Sequence, residues 1–453
     1  MNITLKFPSN SLLLLILVFL PMGNNVASGQ TRPQPQPKPL ATATFNLVST
    51  MEVGLEIEAS CPDTSWMRKG AEAAAILIFV DGNYNQDLLL WAGAEVFGYR
   101  VMLGRLPKGR HTVSITLNTA RSAAGAHGTE VKSLRPLLYA PTPEANNAED
   151  QFALAHSPVL YARANTIDRF TDIPLLMYYE ILHEATGNLI VRYTAIFTNE
   201  DGGTQTAALM ARWGRATDIE WVYQIRADRG KVIEETYQGV EHETKFFTGP
   251  RASGSHPLLA VASDNNNFSD LACSAVRFAP LPFRARLESA TRESVMDLYP
   301  QTYRVMTEEL IREQRISETP GDINTIADPR EYLYIEATSE QEGAALAFDV
   351  KVSGQIKPFA SDMGEPRLRI DRSGYFRIAV RLPKDASTAI ESITARCHAT
   401  QKPASQRRCH DLKMVRVLVL DQNYVPHPLK LQTQPEISLA PDETKMYRVV
   451  SSQ

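Results

Sequence analysis

The sequence predicts a mainly β, multi-domain chain, and three observations carry that prediction. Short runs of alternating or β-branched residues recur along its 453 residues, separated by turn signals such as Asp81-Gly82 and Pro107-Lys108-Gly109. Apolar residues fall at helical spacing in one stretch, after Pro300. A proline-rich run at 30–42 and a polar run at 141–150 punctuate the strands as linkers. At about 150 residues per domain, the length allows roughly two to four domains. The apolar fraction, 43%, is ordinary for globular chains and supplies a core for each.

Residues 1–29 read as a signal peptide. Lys6 precedes an apolar run at 12–20, Pro21 and Gly23 break it, and Ala27-Ser28-Gly29 offers small residues before a cut near Gln30. That run is shorter than the roughly 20 apolar residues that span a bilayer. No later stretch is longer, so the expectation is a secreted or periplasmic protein without a transmembrane span after signal cleavage. Alternating prolines at 30–42 favour a stiff polyproline II spacer.

Residues 43–140 carry predicted strands at 75–80, 88–91, 99–103 and 110–117, the spacing of an Ig-like β-sandwich. A larger central β domain follows at 151–285, with strands at 174–183, 189–198, 220–226, 232–237 and 258–263. The turn at 184–188 pairs the first two as a hairpin. Residues 286–330 form a helical linker. Glu308, Glu309, Arg312 and Glu313 give its helix a mixed-charge face, which fits packing on a sheet and not lying on a membrane. Residues 331–453 return to strands, at 332–338, 344–352, 375–382, 390–398 and 413–420, as a C-terminal β-sandwich. Its segment 374–384 faintly echoes 98–108.

The net charge of −4 excludes a dedicated nucleic-acid binder, which needs a strongly basic balance. Four cysteines in an exported chain suggest disulfides. Cys397 and Cys409 flank a polar loop, 398–408, and are expected to pair across a hairpin tip; Cys61–Cys273 is an alternative second bridge that would join two domains. No Cys-x-x-Cys spacing is present for zinc.

Chemistry is hinted at between 189 and 228. Glu200 and Asp201 end one predicted strand, and Asp218 and Glu220 begin the next. Strand alternation puts Ile219, Trp221, Tyr223 and Ile225 on a core face and Asp218, Glu220, Val222, Gln224 and Arg226 on the other. The two carboxylates would then stand roughly 7 Å apart, the separation of an inverting glycosidase pair, although any acid-x-acid strand meets it. His242 and His256 follow near strand ends. Tyr178, Tyr179, Trp213, Trp221 and Tyr223 lie nearby; Trp221 and Tyr223 read as core, and Trp213 as an exposed platform for a sugar face. The chain has no Gly-x-Ser-x-Gly elbow, His-Glu-x-x-His pair, phosphate loop or dinucleotide fingerprint.

Over residues 189–268 the order of motifs resembles the necrosis-inducing toxin-like family and the related vacuolar-sorting-like family, both β-sandwiches. The resemblance rests on Gly214-x-x-x-Asp218-x-Glu220, the acidic loop before it, and 256–262 after it. It implies a divalent cation beside a glycolipid headgroup, held here by Asp218 and Glu220 with Asp201 as a third acid. Oxygen ligands favour Ca²⁺ or Mg²⁺. The family's two motif histidines are Arg215 and Thr217 in this chain. An arginine cannot ligate a metal, so the competing expectation is an ion-pair network in which Arg215 or Arg212 neutralises Asp218 or Glu220.

The function expected is non-catalytic binding of a glycan, glycolipid or other envelope component, with Asp218, Glu220, Arg215, Trp213, Asp201 and His242 as candidate binding residues. The alternatives are a cation-assisted hydrolase of an extracellular polymer and a structural envelope component.

Overall fold

A computed structural model of the chain describes residues 38–139, 145–163, 173–200, 202–384, 389–401, 406–432 and 435–450. The signal-peptide expectation and residues 30–37 of the proline-rich spacer lie outside the described residues, as does Asp201. The described chain is mainly β, as its alternation predicts.

The first strands form two facing sheets. Met51–Ser60 is the central strand of three, between Phe97–Leu106 and Glu130–Tyr139. The second sheet runs Ala41–Leu47, Gly109–Leu117, Ala75–Val80, Asn83–Leu89. Val53, Leu55 and Ile57 meet Ile76, Ile78, Val113 and Ile115 in one core with Trp66 and Trp91. Pro136 is accommodated because Glu130–Tyr139 is an edge strand, where a missing N–H costs no ladder bond. Ala41 and Thr42, expected in the spacer, already pair with Ile115 and Ser114.

A six-stranded sheet follows, ordered Thr244–Phe246, Lys231–Gln238, Ile219–Asp228, Leu189–Phe197, Pro174–His183, Phe283–Arg284. The predicted hairpin at 184–188 closes with the Glu184 N–H donating to the Asn188 carbonyl at 3.0 Å. A smaller sheet around His256–Val261 packs on one face, with Leu160, Leu259, Val261 and Phe268 against Tyr193, Phe197, Tyr223 and Ile225. Ala162, Ile173, Leu175, Val276 and Phe278 reach back into the first core.

The last strands form one long sheet that folds over a single core. The disulfide Cys397–Cys409 forms, with Cα atoms 6.2 Å apart. It does not staple a hairpin: Ile390–Ala399 pairs with Ala344–Val352 and Thr444–Val450, while Arg408–Leu420 pairs with Tyr332–Glu342 and Pro426–Leu431. The bridge therefore ties the two halves of the folded sheet together. Cys61 is buried and Cys273 exposed, both as free thiols, which corrects the second bridge.

The helix expected after Pro300 spans Gln301–Arg312 and buries Tyr303, Val305, Met306 and Leu310. Tyr303, Met306 and Leu310 share a core with Tyr178 and Ile196 of the six-stranded sheet and with Tyr334 and Leu418 of the last sheet, while Val305 packs into the first core. Alongside it, fully buried Arg377 pairs with Asp297 at 2.5 Å and Glu336 at 2.6 Å, and Arg416 joins both acids. Among the described residues, three further α-helices were not anticipated: Ala145–Ala155, Thr206–Trp213 and Ser294–Asp297. The first overlaps the polar run read as a linker. Its last turns, Phe152, Ala153 and Leu154, pack on sheet cores, so burial overrides a composition that favours loop.

Candidate functional site

The acidic pair sits at the start of Ile219–Asp228, and a β-bulge decides where it points. Against Leu189–Phe197, Tyr223 opposes Tyr193, but Trp221 opposes Thr194, so Val222 is the extra residue. The bulge breaks the alternation. Val222, Tyr223 and Ile225 all enter the core between the central sheets, while Ile219 enters the core on the opposite face. Two residues before Val222 and in register with Ala195, Glu220 shares the inward face, and so does Asp218. The face set opposite the expected core face thus carries its acids inward, and Trp221 leaves the face of Tyr223.

Asp218 is 1% exposed, and its Oδ2 accepts from Asn266 Nδ2 at 2.9 Å. Glu220 accepts from Gln238, and the two carboxyls hydrogen-bond to each other. They therefore meet, leaving no room for the water that an inverting pair must hold. Glu200 Oε1 accepts the Thr204 N–H at 2.6 Å. Gly203, at φ 92°, makes that turn possible: a Cβ there would lie 2.9 Å from the Glu200 carboxylate.

Burial, reinforced by the neighbouring Asp218, pushes Glu200 up to about 7 and Glu220 up to about 8. Burial also raises Asp218, against the pull of Arg215 and the Asn266 hydrogen bond. At neutral pH the group holds protons rather than full charge. Among the described residues no group of three or more His, Cys, Asp or Glu side chains is set to hold a metal ion.

Arg215 is committed elsewhere. Its Nε lies 3.1 Å from Glu293 Oε1, and its guanidinium donates to the Thr217 carbonyl. Arg212 pairs with Asp371 at 2.8 Å. Neither arginine makes the direct ion pair with Asp218 or Glu220 that the competing expectation required; Arg215 acts on them only through its field. Gly214 is the left-handed C-cap of Thr206–Trp213, its N–H donating to the Met210 carbonyl. Trp213 is half-buried, with the guanidinium carbons of Arg212 and Arg372 at 5.2 and 5.0 Å from its ring, so it is not a free platform.

His242 does reach the acids. Its Nδ1 lies 3.7 Å from Glu220 Oε2, and its side chain is 52% exposed. His256 does not: it is buried, with Nε2 3.0 Å from Glu52 and Nδ1 2.8 Å from the Ser157 carbonyl. That histidine fastens the central sheets to the first one.

A second concavity lies elsewhere among the described residues. A cleft of about 630 Å³ opens between the first sheets, the helix Ala145–Ala155 and the strand Pro174–His183. Trp91, Phe97 and Tyr99 form one aromatic cluster on its wall, with ring centroids 4.6 and 4.9 Å apart at Trp91–Phe97 and Phe97–Tyr99. Phe283 and Tyr299, 5.5 Å apart, form another. Asp87, Arg100, Asp150 and Gln151 add polar groups. Sequence reasoning missed this site because its walls come from segments far apart in the chain. The local signal was the stiff apolar run Phe278-Ala279-Pro280-Leu281-Pro282-Phe283.

No protein-family model matches the chain, and no curated protein matches it. Among solved structures, a Paenibacillus sp. cycloisomaltooligosaccharide glucanotransferase complexed with cycloisomaltoheptaose aligns with 91% of this chain at 8% identity and a TM-score of 0.17. The chain covers 39% of that protein's length.

Proposed function

We propose that this chain is a non-catalytic binding protein of the cell envelope or extracellular space, and that it holds a glycan or glycolipid in the aromatic cleft. The cleft itself carries the reading. Its volume of about 630 Å³ falls within the range of small-molecule sites, and aromatic walls with a few polar groups are the usual lining of such sites. The buried acids support binding elsewhere less well, since Asp218 is closed to solvent and the pair retains protons.

Trp91 reports on the site. Titration with alkyl glucosides and with free oligosaccharides should change its emission saturably, and Phe97→Ala should weaken the response. A Trp91→Phe protein should lose the signal and keep the binding measured by calorimetry. Absence of binding by either class of compound would overturn the proposal.

A further inference from the structure

Resting on the reading of the cleft as the ligand site, we propose that its interior takes an unbranched alkyl or acyl chain, while the polar head of the ligand stays at the mouth. The polar groups lining the cleft decide this. Gln86 donates to the Met102 carbonyl at 2.6 Å and to Asn85 at 2.9 Å, and accepts from the Ala279 N–H at 2.9 Å. The Tyr99 hydroxyl accepts from the Ala92 N–H at 3.0 Å, and Tyr179 donates to Asp150 at 2.8 Å. Arg100 is held by Glu56 at 2.6 Å. Gln86, Tyr99 and Tyr179 are thus already engaged by the protein, while the Arg100 side chain, 57% exposed, lies toward solvent.

A sugar ring drawn inside would bring several hydroxyls to a lining with its hydrogen bonds already made. Each hydroxyl stranded without a partner costs on the order of tenfold in affinity. A hydrocarbon chain brings no hydroxyls to strand, and Leu154, Leu175, Met177 and Leu281 offer it contact. Tyr139 and Tyr299 differ from the other polar groups. Both are half-buried, and among the described residues neither hydroxyl makes a hydrogen bond to protein. They are the groups left to bind a polar head.

A series of alkyl β-glucosides, hexyl to dodecyl, titrated by calorimetry below micelle formation tests the assignment. Each added methylene should tighten Kd about fourfold until the cleft is filled, after which Kd levels off. Replacing glucoside by maltoside at fixed chain length should change Kd less than one methylene does. Leu138 lines the cleft and is half exposed; Leu138→Trp should make the plateau arrive at a shorter chain. Affinity independent of chain length, with free oligosaccharide bound equally well, would overturn the alkyl-chain assignment and leave the cleft as a glycan site. A chain-length dependence unmoved by Leu138→Trp would place the hydrocarbon elsewhere and overturn it too. Binding by none of these compounds would remove the underlying reading as well.

Discussion

Arg215 Nε lies 3.1 Å from Glu293 Oε1, both side chains buried, so the guanidinium nearest the acidic pair in sequence is tied to a residue 78 positions away. Removing one partner leaves an uncompensated buried charge. Arg215→Met should therefore lose about 3–5 kcal/mol of stability, measured by urea unfolding. The double variant Arg215→Met/Glu293→Leu should recover part of that loss. A single variant as stable as wild type would show that the pair is not structural.

The acids make stability depend on pH in a defined direction. Glu200 and Glu220 titrate near 7 and 8 in the folded chain, above the ordinary glutamate value of 4.5. Between those limits the folded state binds more protons than the unfolded state, so stability falls as pH rises. Their contribution is fully present below about pH 4.5 and is lost through about pH 8. Glu220→Gln should flatten this fall by on the order of a few kcal/mol across the window. A stability–pH profile identical in wild type and variant would refute the assignment.

Protons and the field of Arg215 also oppose a cation at this place. Excess Ca²⁺ or Mg²⁺ should leave the Tm of the wild type unchanged at pH 6, and Asp218→Asn should respond in the same way. A Tm raised by either ion in the wild type alone would restore the metal reading for Asp218, Glu220 and Asp201.

Thiol accounting gives a further expectation. One free cysteine, Cys273, is exposed and the other, Cys61, is buried. A thiol reagent should find one reactive group in the native protein and two after denaturation without reductant. The Cys397–Cys409 link spans 12 residues, and replacing both cysteines by alanine should cost about 3 kcal/mol. Two reactive thiols in the native state, or four on denaturation, would contradict this pairing.

Much of the fold was legible where local chemistry decides local structure. Asp81-Gly82 turns between Ala75–Val80 and Asn83–Leu89, the 184–188 turn closes its hairpin, and the spacing of Tyr303, Met306 and Leu310 marks the helix. The site was less legible. The bulge at Val222 turns the acids inward, and nothing in an alternating strand pattern announces an extra residue whose position depends on its partner strand. Thr206–Trp213 was hidden because only eight residues, with Leu209 and Met210 buried, lie between two loops. Phe97, Tyr139 and Tyr299 meet only through tertiary packing, so the cleft had no sequence pattern to read.

The central claim is that recognition belongs to the aromatic cleft and not to the acidic pair. Calorimetric titration of octyl glucoside into wild type, Tyr299→Ala and Asp218→Asn tests it most directly. The account predicts affinity about tenfold weaker for Tyr299→Ala and unchanged for Asp218→Asn. Full affinity in Tyr299→Ala together with lost binding in Asp218→Asn would contradict it.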